Sequence, residues 1–461
     1  MGSVDASSIR RPFGRPAPSQ DEHAPGAEPQ RSADRPDRHG DPPGRAHRDL
    51  RVLWWVNAID GLGSQASGLV LPLLLLELGH SPGTAGSLAS AAALTGVVLG
   101  PLVAIPADQG RRRRLMTASS ALAALGMGVL ALTCLGRPAL WVVVTLALTE
   151  RLCAVAYEAA SRGALVHLTT TDELPRAAAG MQVGDQVSLI VGPALGGALF
   201  QLARPVPFLA DALSYAAAAV GVRAIRTPLD TPAAGQGATP GTGPRPRGKR
   251  SELLGSARDG VVTLAGSPVL RLVLVWTSTA GGALTLLFYT ALFRLGSDAR
   301  GAAAGLVLAA SGAAGLLGSL VAAHAVRRLG ATRLLTLAAW LLPVPCGSLL
   351  WVDGALGWGA AFAGLSLLVP LITVVLSSVA IACTPAALQS RTASVLGSVS
   401  ALAAAGAPAL AAALVTAWSL RTPALLCTVL FGLLAVYTQV RAPGVLRAGA
   451  AAVAGRGNAD E

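Results

Sequence analysis

The sequence predicts an all-α membrane protein of twelve transmembrane helices, arranged as two pseudo-symmetric bundles of six. Three observations predict it. Of the 461 residues, 52% are hydrophobic and only 13% charged, against roughly 25% charged in a soluble domain. Residues 52 to 441 carry repeated apolar runs, each of about 18 residues or more, enough to cross a hydrocarbon core of roughly 30 Å as a helix. Backbone groups in lipid must bond within their own segment, and these runs are too long for barrel strands, which leaves helices. The third observation is internal repetition. Residues 176–199 align without gaps on 391–414, pairing Arg176 with Arg391 and Pro193 with Pro408, while 100–107 (GPLVAIPA) matches 318–325 (GSLVAAHA). Two matches at nearly one period indicate a duplicated unit, which places a site near the midplane between the repeats.

In chain order, residues 1 to 50 are rich in Pro, Arg, Asp and Gly and are expected to form a disordered cytoplasmic tail. It does not read as a cleavable signal, since the first apolar segment starts near Val52. Spans are expected over 52–78, 84–107, 115–135, 139–160, 177–202 and 208–225, then 269–294, 301–326, 334–351, 356–383, 394–418 and 423–441. The domains are thus a first bundle (51–225), a linker (226–267), a second bundle (268–441) and a cytoplasmic tail (442–461). The linker is a Gly/Pro/Thr stretch ending in basic residues. A short amphipathic helix should follow, with Leu253, Ala257, Val261 and Leu264 on one stripe.

Orientation follows from arginine. Short loops on the side of Arg111–Arg114 hold ten arginines and those opposite hold five. Because Lys and Arg resist translocation, the arginine-loop side and both termini are expected in the cytoplasm. Trp141, Trp351, Trp358 and Trp418 fall at the far ends of spans and Trp54 and Trp55 at the near end, as an aromatic belt requires. The net charge of +12 does not indicate nucleic acid. The tail to Arg51 balances nine arginines with eight acids, and most other arginines cap apolar runs. The five cysteines lie inside apolar runs at no metal-ligand spacing, and read as small buried hydrophobes. No metal or cofactor is expected.

The loop after the second span reads Ala104-x-x-x-Asp108-Gln109-Gly110-Arg111-Arg112-Arg113, followed by Arg114. It is similar to the G-x-x-x-D-R-x-G-R-R loop of the major facilitator superfamily, with Ala, Gln and Arg replacing the first Gly, the first Arg and the second Gly. Span 5 carries Ser188-x-x-x-Gly192-Pro193-x-x-Gly196-Gly197, which resembles that family's antiporter motif with Ser in place of its first Gly. Over residues 50 to 440 the chain resembles the branch of siderophore exporters and macrolide-efflux permeases. The resemblance implies a small-molecule transporter with the major facilitator fold. It also implies a gating role for Asp108 and Arg111–Arg114, packing between domains at Gly192, Pro193, Gly196, Gly197 and Pro408, and export.

Charge inside a span costs about 2.5–3.5 kcal/mol on insertion scales, so each such residue is a functional candidate. Asn57, Asp60, Gly61, Ser64 and Gly68 share one face of span 1. Span 4 carries Glu150 and Arg151, with Glu158 seven residues after Arg151. Span 5 carries Gln182, Asp185 and Gln186 on a stripe that Gly192 and Gly196 continue. A carboxyl out of water holds its proton more tightly and an adjacent guanidinium loosens it. Asp60, Glu150, Arg151, Glu158 and Asp185 are therefore the proton-coupling candidates, and the alternative is a static network tying span 1 to span 4. Asn57, Ser64, Gln182, Gln186, Trp276 and Tyr289 are the cavity candidates. The barer second half suits an amphiphilic cargo better than a sugar. The reading is a monomeric proton-coupled exporter in the cell membrane, with an importer of the same fold as the alternative. An intramembrane hydrolase using Ser64 and His324 fits poorly, since neither lies in a nucleophile-elbow context.

Overall fold

The computed structural model describes residues 43–170, 173–230, 262, 264–296, 301–352, 354–384 and 386–457. Among them all regular structure is helical. The first half contains α1 (Pro43–Glu77), α2 (Pro82–Val103), the short α3 (Ile105–Asp108), α4 (Arg112–Thr133), α5 (Leu140–Leu168), α6 (Leu174–Leu202) and α7 (Val206–Ala224). The second contains α8 (Pro268–Gly296), α9 (Gly301–Leu329), α10 (Ala331–Leu341), α11 (Pro343–Ser348), α12 (Ala355–Cys383), α13 (Ala386–Ala417) and α14 (Thr422–Gly457).

Local chemistry sets the ends. Ser81 caps α2, its hydroxyl accepting from the Thr84 amide at 3.2 Å, with Pro82 in the first turn. Gly110, at φ +83°, makes the left-handed turn between α3 and α4 that a side chain would resist.

Ten helices are long and apolar enough to cross a membrane, which makes this a multi-pass membrane protein. The two remaining expected spans are also helical. That at 301–326 is α9, whose described apolar stretch is Ala310–Ala322. That at 334–351 is divided into α10 and α11. Pro343 lacks an amide to continue α10, so the chain restarts there.

The halves repeat in their packing. In the first, α1 packs on α6 and α7, α4 on α5 and α7, and α2 on α5. In the second, α8 packs on α13 and α14, the α10–α11 pair on α12 and α14, and α9 on α12. The joints between halves repeat too, α2 on α13 and α6 on α9.

The core is asymmetric along the span axis. Away from the arginine loop, Leu69, Leu73, Ala85 and Leu88 share one hydrophobic core with Ala407, Ala411 and Ala412 of the second half. Toward the arginine loop, Leu53, Val56, Met116, Ala160 and Val222 close on one another within the first half. The core that the two halves share therefore lies away from the arginine loop.

Several boundaries differ from expectation. Residues 43–50, assigned to the disordered tail, already belong to α1, because buried Asp49 accepts from the Arg226 amide at 3.0 Å and from the Thr227 amide and hydroxyl at 2.8 Å each. At the other end α14 runs through the expected tail to Gly457, with Ala442 buried, since the Ala-rich sequence favours helix. Trp358 is buried and stacked on Phe362 rather than lying in a belt, whereas Trp55, Trp141, Trp351 and Trp418 are exposed. The linker from 231 to 261, including the expected amphipathic helix apart from Leu264, lies outside the described residues, as does the tail to Pro42.

Candidate functional site

A cavity of about 300 Å³ lies among α1, α2 and α5, with Tyr289 of α8 in its wall. Its polar lining is Ser64, Gln65, Glu150, Arg151 and Tyr289, against alanines of α2. Two successive residues of α5 face different ways. Arg151 lies over Gly96 of α2, where a Cβ would come within 2.9 Å of its Nε. The Glu150 carboxylate turns back into the first bundle, where Tyr215 Oη donates to its Oε1 at 2.5 Å. Ser64 Oγ sits 2.9 Å from the same phenol.

Behind α1 this chain of hydroxyls opens on more acids. Asp211 of α7 is 0% exposed. Ser214 donates to its Oδ1 at 3.2 Å, while its Oδ2 is buried without a partner. Asp60 Oδ1 and Tyr157 Oη are likewise buried and unpartnered. Asp211 lies within the electrostatic reach of both Glu150 and Asp60. Among the described residues no ion pair within 4.0 Å joins Asp60, Glu150 or Asp211 to any cation. The static Asp60–Glu150–Arg151 salt-bridge network is thus not formed here. Gly63 lets α7 come this close to α1: a Cβ on it would lie 2.6 Å from Asp211 Oδ1 and 2.2 Å from Ser214 Oγ.

A second group of charges lies toward the arginine loop. Glu158 and Arg162 pair one turn apart on α5, and both are exposed. Asp185 and Gln182 of α6 are exposed as well, and Asp185 feels the field of Glu158 and Arg162. Exposed charge at membrane depth belongs against water rather than lipid.

Other predicted residues divide. Tyr289 and Ser64 are in the cavity wall. Asn57 ties α1 to α5, its Nδ2 donating to Ser161 Oγ at 2.9 Å. Trp276 borders a smaller apolar cavity of about 200 Å³ with Thr277, Leu284, Ile372, Thr373 and Leu376. Its indole N–H donates to Thr438 at 2.8 Å. The side chains of Gln186 and Asp108 lie outside the described residues.

The expected single stripe on α6 separates into two. Gly192 and Gly196 press on α1, where added Cβ atoms would meet Gln65 Cβ at 2.4 Å and the Ala66 carbonyl at 2.3 Å. They pack inside the first bundle, not between halves, a correction to the expectation; Pro193 and Gly197 are buried with them. The seam between halves on α6 runs through Ile190 against Gly312 of α9, at 2.5 Å from a Cβ on Gly312. At the other seam Pro408 does meet the opposite half, its carbonyl 2.5 Å from a Cβ on Gly86.

The arginine loop holds elements of its own half. Arg112 contacts His167 and overlies Gly163. The Arg113 amide donates to Asp230 Oδ1 at 2.8 Å, and Arg114 lies 4.0 Å from the same carboxylate. Arg111 is exposed. Asp211, Tyr215, Tyr157 and Gly63 escaped sequence reasoning; the available signal was an acid four residues before a tyrosine within an apolar span.

No curated protein matches the chain. Among solved structures it is similar to a bacterial homolog of the human lysosomal transporter Spinster in an inward-facing, unoccupied conformation, at 13% identity and TM-score 0.62, covering 88% of this chain and 99% of that one. It is similar to the nucleoside transporter NupG at 12% identity and TM-score 0.64, covering 85% and 98%. The human organic anion transporter MFSD10 follows at 18% identity and TM-score 0.57, covering 86% and 100%. At these identities the likeness is one of fold. Residues 53–404 match the model of the Major Facilitator Superfamily. With that match over most of its length and two repeated helical halves around a central cavity, the chain belongs to the Major Facilitator Superfamily of membrane transporters.

Proposed function

We propose that the chain exports a small amphiphilic organic molecule in exchange for protons, as a monomer in the cell membrane with both termini cytoplasmic. The bundles 51–225 and 268–441 then rock against each other, and the linker 226–267 joins them on the cytoplasmic side. The carrying observation is the contrast between the two walls of the central path. The first half supplies Glu150, Arg151, Glu158 and Asp185, with Asp60 close behind, whereas the second supplies Tyr289 and an apolar cavity around Trp276. Titratable groups on one side and an apolar surface on the other suit a proton-driven carrier of an amphiphile. With the arginine loop in the cytoplasm, a cargo for export loads from the end of the path that carries Glu158 and Asp185. The antiporter-like stretch at 188–197 supports the outward direction. Asp108 and Arg111–Arg114 then act by stiffening the cytoplasmic end of the first bundle.

The test is a panel of amphiphilic compounds in cells lacking their own pumps. Expression should lower accumulation of at least one compound, a protonophore should restore it, and Asp185→Asn should abolish the effect at equal protein level. Efflux indifferent to the protonophore would remove proton coupling. Net uptake would reverse the direction.

A further inference from the structure

We propose that Asp211, with Asp60 and Glu150, forms a proton-binding cluster inside the first bundle, behind α1 and apart from the substrate cavity, which Glu150, Tyr215 and Ser64 connect to that cavity. The inference deepens the coupling reading and rests on it for its purpose, though not for its existence.

The argument begins with the surroundings of Asp211. Its side chain is fully buried, yet α7 supplies only Ser214 and Tyr215 as polar neighbours, and α1 supplies Asp60 and the Ser64 and Ser67 hydroxyls. From α5 comes Glu150, itself in the field of Arg151, while Tyr157 of the same helix lies in the field of Asp60. The sequence of α4 beyond Arg114 contains no acid or base, and the one acid of α6, Asp185, lies on the arginine-loop side. The single cation nearby, Arg151, faces the cavity and is beyond 4.0 Å of all three carboxyls. A buried unpaired carboxylate carries a large desolvation cost, and neighbouring acids raise it further. Three buried carboxyls within one another's field, with no cation among the described residues within 4.0 Å of any, make a site suited to holding protons.

Two unpartnered polar atoms point to the same occupant. Asp211 Oδ2 and Tyr157 Oη are buried with no partner, and a proton on Asp211 turns an orphaned acceptor into a donor. The exit is built as a relay. Ser64 lies in the cavity wall, 2.9 Å from Tyr215, which donates to Glu150 at 2.5 Å. A proton leaving cavity water for Glu150 needs only that Ser64 and Tyr215 each give up one proton and take one. The cluster gains one proton, and both hydroxyls end unchanged. Gly63 keeps α1 close enough to α7 for the cluster to form.

Proton and cargo thus occupy different places. The cargo need not displace the proton by touching its carboxylate; movement of Arg151 within the cavity changes the field at Glu150 and the cluster's affinity with it.

The test is infrared spectroscopy of the full chain in lipid nanodiscs, titrated from about pH 6 to about pH 9, a range above ordinary carboxyl titration. A protonated-carboxyl carbonyl band should be present at neutral pH and vanish on alkaline titration. Asp211→Asn should remove the Asp211 share of it. Tyr215→Phe should shift the Glu150 component in frequency without removing it, because that carboxyl loses its phenol donor. Should Asp211→Asn not fold, wild-type protein treated with a hydrophobic carbodiimide, which adds to protonated carboxyls, should carry the adduct on Glu150 by mass spectrometry at neutral pH and not at alkaline pH. No carbonyl band in wild type, or one unchanged in Asp211→Asn, would overturn the proposal. So would a band abolished by sodium, which would assign the cluster to a metal cation. A band with all these properties in a chain whose efflux ignores protonophores would defeat the coupling reading alone and leave the cluster in place.

Discussion

Replacing Gly86 with alanine tests whether the seam between α2 and α13 sets the conformation seen here. A Cβ at position 86 would lie 2.5 Å from the Pro408 carbonyl oxygen and 2.7 Å from Ala412 Cβ. Neither neighbour is a flexible side-chain end, so the helices must separate by about 1 Å to restore ordinary contact. Ser90 Oγ, which accepts from the Ala409 amide at 2.9 Å across the same seam, would then lose that bond. Overpacking of this kind costs roughly 1–3 kcal/mol. The penalty falls on the state in which this seam is closed and not on one in which it is open. At 1.4 kcal/mol per tenfold, the balance should move toward the opposite opening by about 5- to 150-fold. The readout is Ala89→Cys, in the cavity wall, in a background with the five cysteines replaced. An impermeant maleimide applied from the face away from the arginine loop should label it faster once Gly86→Ala is added. Gly432→Ala, where a Cβ meets nothing within 4 Å, is the control. Equal labelling rates in the two variants would refute the reasoning.

Three further outcomes follow from the same coordinates. Asp49→Ala removes the acceptor of three hydrogen bonds from residues 226 and 227 and should destabilise the arginine-loop end of the first bundle by about 2–5 kcal/mol, as bonds to a buried carboxyl are lost; an unchanged thermal midpoint in detergent would contradict it. Gly96→Val would push aside the Arg151 guanidinium, 2.9 Å from the new Cβ, and should lower transport to the same degree as Arg151→Gln; normal transport in Gly96→Val would separate Arg151 from the path. Gly196→Ala places a methyl 2.3 Å from the Ala66 carbonyl and should lower stability by roughly 1–3 kcal/mol, measured by thermal unfolding, without altering the labelling of Ala89→Cys.

The helices were legible because apolar length and helix period are local properties. What the chain does with each face is not local. Asp185 lies three residues from Ser188, about 60° round the helix, so periodicity merges it with the glycines that turn out to press on α1. Asp211 was concealed differently. It lies in the second turn of α7, just after a Pro-containing loop and near the end of its span, where an acid alone does not mark a buried site. Only the neighbouring elements reveal that it is sealed between Gly63, Ser214 and the other acids. Asp49 shows the same blindness in reverse: one acid among eight in a charge-dense tail is the buried anchor of the chain after α7, and nothing in its local sequence marks it.

The duplicated fold explains why these acids can be concentrated in one half. The seams between halves repeat, α2 on α13 and α6 on α9, so rocking can proceed on packing alone. Glycines provide the close approach at both, Gly86 at the first and Gly312 at the second. If repeated packing leaves two conformations near balance, a small difference in free energy decides between them. On the proposed reading the acid cluster of the first bundle supplies that difference, since its charge changes with proton binding and Glu150 lies in the field of Arg151. Moving the acids evenly into both halves would cancel the bias that a proton could exert. On the proposed reading, chemical asymmetry on a symmetric frame is what lets proton binding choose the direction in which the halves open.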